Sequence, residues 1–366
     1  MGPLLFNTNY IAPIWSGDRI NKTRGLAGNE LYGEGFDVSA HRGMVTSVKG
    51  GPYDGTPLDE LIRDHHEEVI GTSDDDGVTQ TLMLDARETV SVQVHPNEAY
   101  AREHEDDHEK AEAWYVFEAD PGSTLIAGSL TDDVDALRAA AADDTIGDKY
   151  GRRVPVTEGD FIVVPSGTLH AYGAGIFAVE IGTLGFTTYR LCDWGRGREL
   201  HVEKGFDVLD VAPKPDPIHL GKFDPTAPAR TVRGTADDDL FVIDIMDVPE
   251  SWDDVTGDEY CVLTCAAGEC DVTSAEGSIH LGFTESCLVP ASAGAYTVTG
   301  PCRVISSRMR HYACALALHP GARRLIDSPP RPFYAFQGFW MRNLDEAAFC
   351  YFSLICLPVR CSISMT

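Results

Sequence analysis

The sequence is poor in basic residues and has no long apolar segment. Its 366 residues include 29 Lys and Arg against 57 Asp and Glu, which gives a formal net charge of -28. Because nucleic-acid binding relies on clustered basic side chains, this balance argues against a nucleic-acid partner. No run reaches the roughly 18 apolar residues of a membrane span, and the N-terminus lacks the basic start and apolar run of a secretory signal. We therefore expect a soluble, cytoplasmic protein with no membrane partner.

The sequence also lacks a paired-cysteine motif. None of its ten cysteines forms a CxxC pair, and the spacing of Cys261, Cys265 and Cys270 fits no common zinc pattern. We expect these thiols to be free and buried at strand positions. The acidic residues form no single long tail, and the HEDDHE segment at 104–109 is interpreted as an exposed, solvated loop. Its two histidines are therefore not counted as metal ligands.

Most of the chain has the composition of short strands separated by turns. The segment GDFIVVPSGTLHAYGAGIFAVEIGT at 159–183 is typical, with apolar strand residues between Gly and Pro turns. This alternation of short strands and turns predicts a mainly β fold of the sandwich or barrel type. Helical patterns mark only a few segments, at 58–71, 134–147 and 202–210. We expect these helices to be inserted between the strands or to flank them.

Two blocks of the chain are similar to each other. The segment at 282–300 repeats the order of Gly, apolar strand, Pro, small residues and Ala-Tyr that is found at 158–175. A proline-rich linker at 211–230 separates the blocks. The second block lacks the Q-x-H pair and the His170 that make the first block a candidate for metal binding, so we expect it to have the same fold without a metal. The predicted parts are an N-terminal domain with helical insertions, a metal-free second domain and a divergent tail of unknown structure, at 1–225, 226–320 and 321–366.

Four side chains of the first block are candidates for a metal site. Gln93 and His95 project to the same face of an extended strand, because successive side chains alternate. Glu112 follows seventeen residues after His95, a distance that allows a loop and a return strand, and His170 can supply a fourth ligand. Two imidazoles, a carboxylate and an amide suit a borderline divalent ion, above all zinc, with a position left open for water or substrate.

Five sequence motifs, which follow one another in the same order as in a known family, show a resemblance to that family. They are FDVSAH, LDARETVSVQVHP, KAEAWYV, GDFIVVPSGTLHAYGAG and TTYRLCDWGRGRELHVEKGFDVL, at 36–41, 84–96, 110–116, 159–175 and 187–209. From about residue 10 to 315 the chain resembles the class I mannose-6-phosphate isomerases, metal-dependent members of the cupin superfamily. The resemblance implies two cupin (jelly-roll) barrels, the first catalytic, with one zinc ion per chain. It also implies reversible conversion of mannose 6-phosphate to fructose 6-phosphate.

The resemblance assigns roles to particular side chains. By matching position, the implied zinc ligands are Gln93, His95, Glu112 and His170. Active-site roles are implied for Lys110, Tyr172, Glu180 and Arg190. Lys110 and Tyr172 each lie two residues from an implied ligand, and therefore on the same strand face as that ligand. We expect Glu180 or Lys110 to carry the proton between C1 and C2 of the sugar, and Arg190 to bind the phosphate or the developing oxyanion.

Two departures from the family pattern affect the substrate side of the site. Leu82 occupies a position where many members have a Lys, and the segment at 182–186 is GTLGF where members have a polar run. Because the net charge of the chain is strongly negative, a phosphate has to be attracted by local positive charge, and we expect Lys110 and Arg190 to supply it.

Two alternative functions stay open: a cupin oxygenase that holds Fe or Mn through two His and one carboxylate, and a non-catalytic cupin that binds sugar phosphates. A monomer and a homodimer are both compatible with the sequence.

Overall fold

Antiparallel strands make up most of the computed structural model, which describes residues 1–73, 75–237 and 240–310. The strands are β1 (Leu5–Asn7), β2 (Asn9–Ile11), β3 (Glu34–Val38), β4 (Ser47–Lys49), β5 (Gln80–Ala86), β6 (Val92–Val94), β7 (Glu112–Ala119), β8 (Thr124–Ser129), β9 (Gly151–Pro155), β10 (Asp160–Val164), β11 (His170–Tyr172), β12 (Ile176–Gly182), β13 (Tyr189–Cys192), β14 (Ile218–His219), β15 (Arg230–Asp237), β16 (Phe241–Val248), β17 (Ser251–Val255), β18 (Cys261–Gly268), β19 (Cys270–Ser274), β20 (Gly277–Leu281), β21 (Ser286–Val289), β22 (Ala295–Thr299) and β23 (Cys302–Met309). The helices of the described residues are α1 (Arg19–Arg24), α2 (Leu58–Asp64), α3 (His66–Val69), α4 (Glu98–His104), α5 (Val134–Ala142), α6 (Ile146–Tyr150) and α7 (Val202–Val208). The predicted mainly β fold class is confirmed.

The helices predicted from the sequence are present, but two of the three predicted segments are interrupted, the first at His65 and the second between Ala142 and Ile146. The segment predicted at 58–71 forms α2 and α3, which are separated at His65. α5 occupies the second predicted segment, where the Asp133 side chain accepts a hydrogen bond from the amide of Ala136 and caps the first turn. α7 occupies the third segment. The sequence pattern did not predict α1 and α4, which contain six and seven residues.

Two sheets face each other in the first part of the chain and form the first sheet pair. One has seven strands in the order β14-β10-β7-β12-β5-β3-β2, and the other has five in the order β13-β6-β11-β8-β9. Trp114 and Ile162 from the first sheet share one apolar core with Leu125 and Val154 from the second. Side chains of α5, α6 and α7 pack on the outer face of the five-stranded sheet. The first sheet pair therefore encloses an interior into which alternate side chains of its central strands project, among them β7, β8, β10 and β12.

A second sheet pair follows in the chain. It consists of a five-stranded sheet in the order β15-β16-β23-β18-β21 and a four-stranded sheet in the order β17-β22-β19-β20. Leu263 and Val289 of the larger sheet meet Val272 and Val298 of the smaller sheet in a shared core. Five cysteines also belong to this core. All six cysteines of the described residues are free and buried in strands, as the sequence predicted.

The seven-stranded sheet is buried on both of its faces. In β7, Trp114 points into the core of the first sheet pair, whereas Tyr115 packs on the opposite side with Phe241 of the second sheet pair. Buried Arg303 of β23 extends this contact, because it donates to the Tyr115 hydroxyl at 3.0 Å and forms an ion pair with Asp247. Strands packed closely on both sides have little freedom to move. β7 and β12 are such strands, and they carry two of the predicted site residues.

The predicted division of the chain is only partly covered by the described residues. By their contacts, residues 1–311 form one compact unit. The predicted boundary near residue 225 falls between β14 and β15, and separate domains at 1–225 and 226–320 stay a prediction. The predicted tail at 321–366 lies outside the described residues. Where the structure describes the chain, it contains no helix of the length and apolar character that crossing a membrane requires.

Candidate metal centre and catalytic pocket

Three predicted site residues lie side by side on the five-stranded sheet of the first sheet pair. β6 lies between β11 and β13 in this sheet. Gln93 of β6 is in register with His170 of β11 on one side and with Arg190 of β13 on the other. Residues directly opposite each other in antiparallel strands project to the same face. The sheet therefore brings an amide, an imidazole and a guanidinium group into one row, although they are far apart in the sequence.

The seven-stranded sheet supplies a carboxylate to the same region. Glu112, the first residue of β7, is fully buried, with Oε1 2.9 Å from His95 Nε2 and Oε2 3.6 Å from His170 Nε2. The ring centres of His95 and His170 are 4.7 Å apart. One ligand atom from each of these three side chains lies within 4.8 Å of the other two. Three of the four predicted ligands thus converge, and the fourth, Gln93, lines the adjoining cavity.

Hydrogen bonds determine which ring nitrogen of each histidine is free. His95 donates through Nδ1 to the carbonyl of Thr187 at 2.9 Å, and His170 donates through Nδ1 to the carbonyl of Thr168 at 2.7 Å. A carbonyl only accepts, so Nδ1 carries the proton and Nε2 of a neutral ring carries a lone pair. Burial lowers the pKa of both rings, to about 3 for His170, which keeps them neutral. Both histidines therefore direct a lone pair towards Glu112.

Three buried atoms at this centre lack a hydrogen-bond partner. His95 Nε2 and His170 Nε2 are buried without a hydrogen-bond partner, and so is Glu112 Oε1, apart from its ion pair with Lys110. Each buried polar atom left unpaired costs about 1–3 kcal/mol, so such atoms are rare in folded proteins. A divalent cation at their common point satisfies all three, and two imidazoles with one carboxylate are a common donor set for such ions. The residues present therefore fit a metal ion.

Two further predicted residues, Lys110 and Glu180, adjoin the carboxylate. Lys110 Nζ lies 2.8 Å from Glu112 Oε1 and 3.6 Å from Glu180 Oε1. Burial would lower the pKa of Lys110, but Glu112 and Glu180 outweigh it and raise that pKa. Burial, together with the charge of Glu112, raises the pKa of Glu180 well above its usual value, and burial also raises the pKa of Glu34. If all three carboxyl groups were ionised around one ammonium, the cluster would carry an excess of negative charge, which a divalent cation would offset.

A cavity adjoins this centre through Lys110 and Gln93. Its volume is about 270 Å³, close to the lower end of the range of small-molecule sites, and its wall also includes Glu180 and Arg190. Arg190 donates to the carbonyl of Glu199 at 2.9 Å, whereas its buried Nε has no hydrogen-bond partner. An unpaired guanidinium N–H beside a cavity suits an anionic ligand, because charge-assisted hydrogen bonds to anions are strong.

The structure places Tyr172 in the core of the first sheet pair and not in the cavity wall. Its ring packs on Trp114 with 4.0 Å between the ring centres, and its buried hydroxyl has no hydrogen-bond partner. Trp114 in turn donates to Glu112 Oε2 at 3.0 Å. Tyr172 therefore supports the orientation of Glu112 through Trp114, and the direct active-site role implied by the sequence stays a prediction.

Sequence patterns did not single out several residues of the cavity wall. Glu34, Phe186 and Arg198 line the cavity. Arg198 pairs with Asp193 at 2.6 Å, and Lys110 Nζ lies 5.9 Å from the centre of the Phe186 ring. Glu34 comes from a strand end where no local spacing marks a function, and Phe186 ends the 182–186 segment, which attracted notice only as a departure from the family pattern. For Arg198 a signal was available, since the GRGRE run is basic within a very acidic chain.

The loop at 104–109 is not uniformly exposed, and its interpretation as a solvated loop is wrong for Asp107. The Asp106 side chain is exposed, but Asp107 is only 6% exposed. The Asp107 carboxylate accepts hydrogen bonds from the His41 ring and from the backbone amides of Phe186 and Thr187. The burial of this residue follows from contacts with distant segments, which the composition of the loop does not reveal.

Facing antiparallel sheets with a buried His-Glu-His centre between them define a cupin-type metal protein. A family model described as phosphomannose isomerase type I, catalytic domain, matches residues 19–127, and one described as mannose-6-phosphate isomerase, cupin domain, matches residues 235–309. The mannose-6-phosphate isomerase of Streptococcus mutans is 41% identical over 217 residues, which cover 57% of this chain and 68% of that protein. The chain belongs to the type I mannose-6-phosphate isomerase family, as its motifs predicted.

Further relatives agree with this assignment. The mannose-6-phosphate isomerase ManA of Bacillus subtilis is 35% identical over 222 residues, which cover 58% of this chain and 70% of the relative. A crystal structure of the mannose 6-phosphate isomerase from Bacillus subtilis has a TM-score of 0.72 and 26% identity, and the match covers 84% of this chain and 99% of that chain. The cupin fold predicted from the sequence is thus confirmed.

Proposed function

We propose that this protein is a mannose-6-phosphate isomerase that interconverts mannose 6-phosphate and fructose 6-phosphate. The observation that carries the proposal is the buried His95, Glu112 and His170 centre, which adjoins a cavity with an ammonium, a carboxyl and a guanidinium group whose Nε has no hydrogen-bond partner. The named relatives at 41% and 35% identity support the same activity. The reaction moves a proton between C1 and C2 through an enediol, so it needs charge stabilisation, a proton carrier and a phosphate site.

The metal in this proposal is one zinc ion per chain. Its ligands would be His95, Glu112, His170 and Gln93. Zinc accepts nitrogen and oxygen donors, and its lack of redox chemistry suits a reaction without an electron-transfer step. When bound, the ion would supply Lewis-acid stabilisation of the charge that develops on the substrate oxygens. The same donors suit Fe or Mn in the oxygenase alternative, but Lys110, Glu180 and Arg190 in the cavity wall favour an isomerase.

Glu180 is the better of the two candidates for the proton carrier. Lys110 lies between two carboxylates that raise its pKa despite burial, so its amine keeps its proton. Burial and the charge of Glu112 raise the pKa of Glu180 well above its usual value, and a raised carboxyl pKa is a common feature of residues that act as general acid and base. In this assignment Glu180 exchanges the proton with the sugar carbons. Lys110 keeps a positive charge beside the substrate oxygens, where negative charge develops.

Two arginines of the cavity wall are the proposed phosphate ligands. Arg190 offers its unpaired Nε, and Arg198 lies on the same wall. Guanidinium groups bind phosphate oxygens through their planar fork of donors. Leu82, which replaces the Lys of many family members, is a buried, apolar residue of the cavity wall and supplies no charge. The two arginines supply positive charge in its place. In a protein with a net charge of -28, such a local concentration of positive charge is needed to hold an anionic substrate.

The activity and metal dependence can be tested together. We expect the purified protein to contain zinc and to convert mannose 6-phosphate to fructose 6-phosphate, to lose this activity in a chelator and to regain it with added zinc. Metal analysis by plasma mass spectrometry and a coupled enzyme assay measure both. Absence of turnover in the zinc-loaded protein would refute the isomerase assignment. Binding of mannose 6-phosphate without turnover would instead favour the non-catalytic alternative.

Replacement of Arg190 separates phosphate binding from metal binding. We expect Arg190→Ala to keep its zinc and to lower kcat/KM for mannose 6-phosphate roughly 10- to 100-fold, because a hydrogen bond to a charged group contributes about 1.5–3 kcal/mol. Steady-state kinetics and zinc content measure the two effects. Arg63→Ala is the matched control, since this side chain is 64% exposed and pairs with its neighbour Asp64. An unchanged kcat/KM in Arg190→Ala would contradict the phosphate role.

The predicted cytoplasmic location and the predicted monomer or homodimer stay predictions. Size-exclusion chromatography with light scattering distinguishes the two oligomeric states.

A further inference from the structure

A buried carboxylate outside the ligand set holds the segment that contacts His95. Asp107 lies between α4 and β7. Its Oδ2 accepts hydrogen bonds from the Phe186 amide at 3.1 Å, the Thr187 amide at 2.9 Å and the Thr187 hydroxyl at 2.6 Å. Its Oδ1 accepts from the His41 ring at 3.1 Å and from the His108 amide at 2.8 Å. Five hydrogen bonds to one carboxylate fix its position.

The charge of Asp107 is stabilised by the same contacts. Burial would raise its pKa, but hydrogen bonds from His41 and Thr187 outweigh burial and hold the pKa well below its usual value. The His41 ring donates through Nε2, because its Nδ1 accepts from the amide of Gly43 at 3.0 Å. The carboxylate is therefore ionised, and each of its hydrogen bonds is charge-assisted.

Thr187 connects Asp107 to the metal centre. The Thr187 carbonyl accepts the hydrogen bond from His95 Nδ1 at 2.9 Å. This bond selects the tautomer with the proton on Nδ1, so that Nε2, 2.9 Å from Glu112 Oε1, keeps its lone pair. The other tautomer would place a proton on Nε2, where a metal ligand needs a lone pair. The orientation of one backbone carbonyl thus favours the form of His95 that binds a cation.

The rest of this loop is anchored without Asp107. The Gln80 side chain donates to the carbonyls of Thr183, Leu184 and Gly185, at 2.9, 3.3 and 3.1 Å. The Gly185 amide also donates to the carbonyl of Glu109 at 3.1 Å. Loss of the Asp107 charge should therefore affect residues 186 and 187 and leave residues 183–185 in place.

We propose that Asp107 is a positioning residue for the metal ligand His95, because its carboxylate fixes Thr187 and the Thr187 carbonyl in turn fixes the ring and tautomer of His95. Partners of this kind beyond the ligands orient them, and their loss usually costs 10- to 100-fold in metal affinity. Here the carboxylate acts through one intervening backbone group and not by direct contact with the imidazole. The inference rests on the proposed metal site, and it does not depend on isomerase activity.

The test compares Asp107→Asn with the wild-type protein in two measurements. With 15N-labelled histidine in the metal-free protein, long-range 1H–15N spectra identify the protonated ring nitrogen, and a His95→Gln sample assigns the signal. We expect the Nδ1–H form of His95 in the wild type and a mixture of both tautomers in Asp107→Asn. Zinc affinity, measured by competition with a fluorescent chelator, should fall roughly 10- to 100-fold.

Asp106→Asn is the matched control, because this neighbouring side chain is 89% exposed and pairs with Arg42. It should change neither measurement. Retention of the pure Nδ1–H tautomer and unchanged zinc affinity in Asp107→Asn would overturn the proposal. If Asp107→Asn does not fold, the Thr187→Val variant tests the proposal instead. It removes only the hydrogen bond from the Thr187 hydroxyl to Asp107, so zinc affinity should fall roughly fivefold. Unchanged affinity there would also overturn the proposal.

The two proposals fail in different ways. If the wild-type protein binds zinc but does not turn over mannose 6-phosphate, the isomerase assignment fails and the Asp107 test is still decisive. If the wild type is active and Asp107→Asn matches it in both measurements, the role of Asp107 fails and the isomerase assignment stands.

Discussion

The His170→Ala variant is expected to lose its metal and its isomerase activity together. His170 supplies one of three buried donor atoms that lie within 4.8 Å of one another, and alanine leaves only His95 and Glu112 of that group. Because changes beyond the ligands already cost 10- to 100-fold in metal affinity, loss of a ligand should cost more than about 100-fold. Metal charge stabilisation contributes several kcal/mol to such reactions, so kcat should fall about 1000-fold or more. Chelator competition and the coupled assay measure the two losses.

His280→Ala is the matched control for this variant. His280 is 56% exposed on the second sheet pair and pairs with Asp271 at 2.9 Å, far in sequence from the proposed ligands. Zinc should raise the melting temperature of the wild type and of this control, since a ligand that binds only the folded state stabilises it. The melting temperature of His170→Ala should not respond. Stoichiometric zinc and full activity in His170→Ala would exclude His170 from the ligand set.

Much of the fold could be predicted because local patterns specify local elements. Apolar runs between Gly and Pro turns predicted the strands, and helical periodicity predicted α5 and α7. The stacking of the sheets could not be predicted. The residues of β12 are all buried, since one face meets the core of the first sheet pair and the other meets the second sheet pair. The face of β12 that meets the second sheet pair is covered through contacts between segments that are distant in the sequence, and local patterns do not reveal such contacts.

The site was predictable to the extent that its residues lie in short motifs. The Q-x-H spacing and the later Glu and His predicted the convergence of His95, Glu112 and His170. The positions of Tyr172 and Asp107 could not be derived in this way. Tyr172 lies under Trp114, so that it is near the ligands without facing the cavity. Asp107 is buried because segments around residues 41 and 187 cover it, and the acidic composition of its own loop indicated the opposite.

The Glu180→Gln variant is expected to lower kcat about 100- to 10,000-fold while zinc content stays unchanged. Glutamine keeps the size and polarity of the side chain, but it does not exchange a proton. Glu180 Oε1 lies 3.6 Å from Lys110 Nζ in the cavity wall, and a glutamine of the same size and polarity should leave substrate binding and KM nearly intact. Steady-state kinetics measure the change in kcat. Deuterium incorporation from solvent at C2 of mannose 6-phosphate, followed by NMR, reports the proton transfer itself.

Two further variants decide between Glu180 and Lys110 as the proton carrier. Glu118→Gln is the matched control, since this residue lies on β7 with a 54% exposed side chain and an ion pair to Arg19, and its kcat should match the wild type. Lys110→Met removes the ammonium group beside Glu112, so it should slow turnover without ending solvent exchange at C2. Exchange that persists at the wild-type rate in Glu180→Gln and disappears in Lys110→Met would assign the proton transfer to Lys110. That outcome would also mean that the bound metal and substrate lower the pKa of Lys110 against the effect of its two carboxylate neighbours.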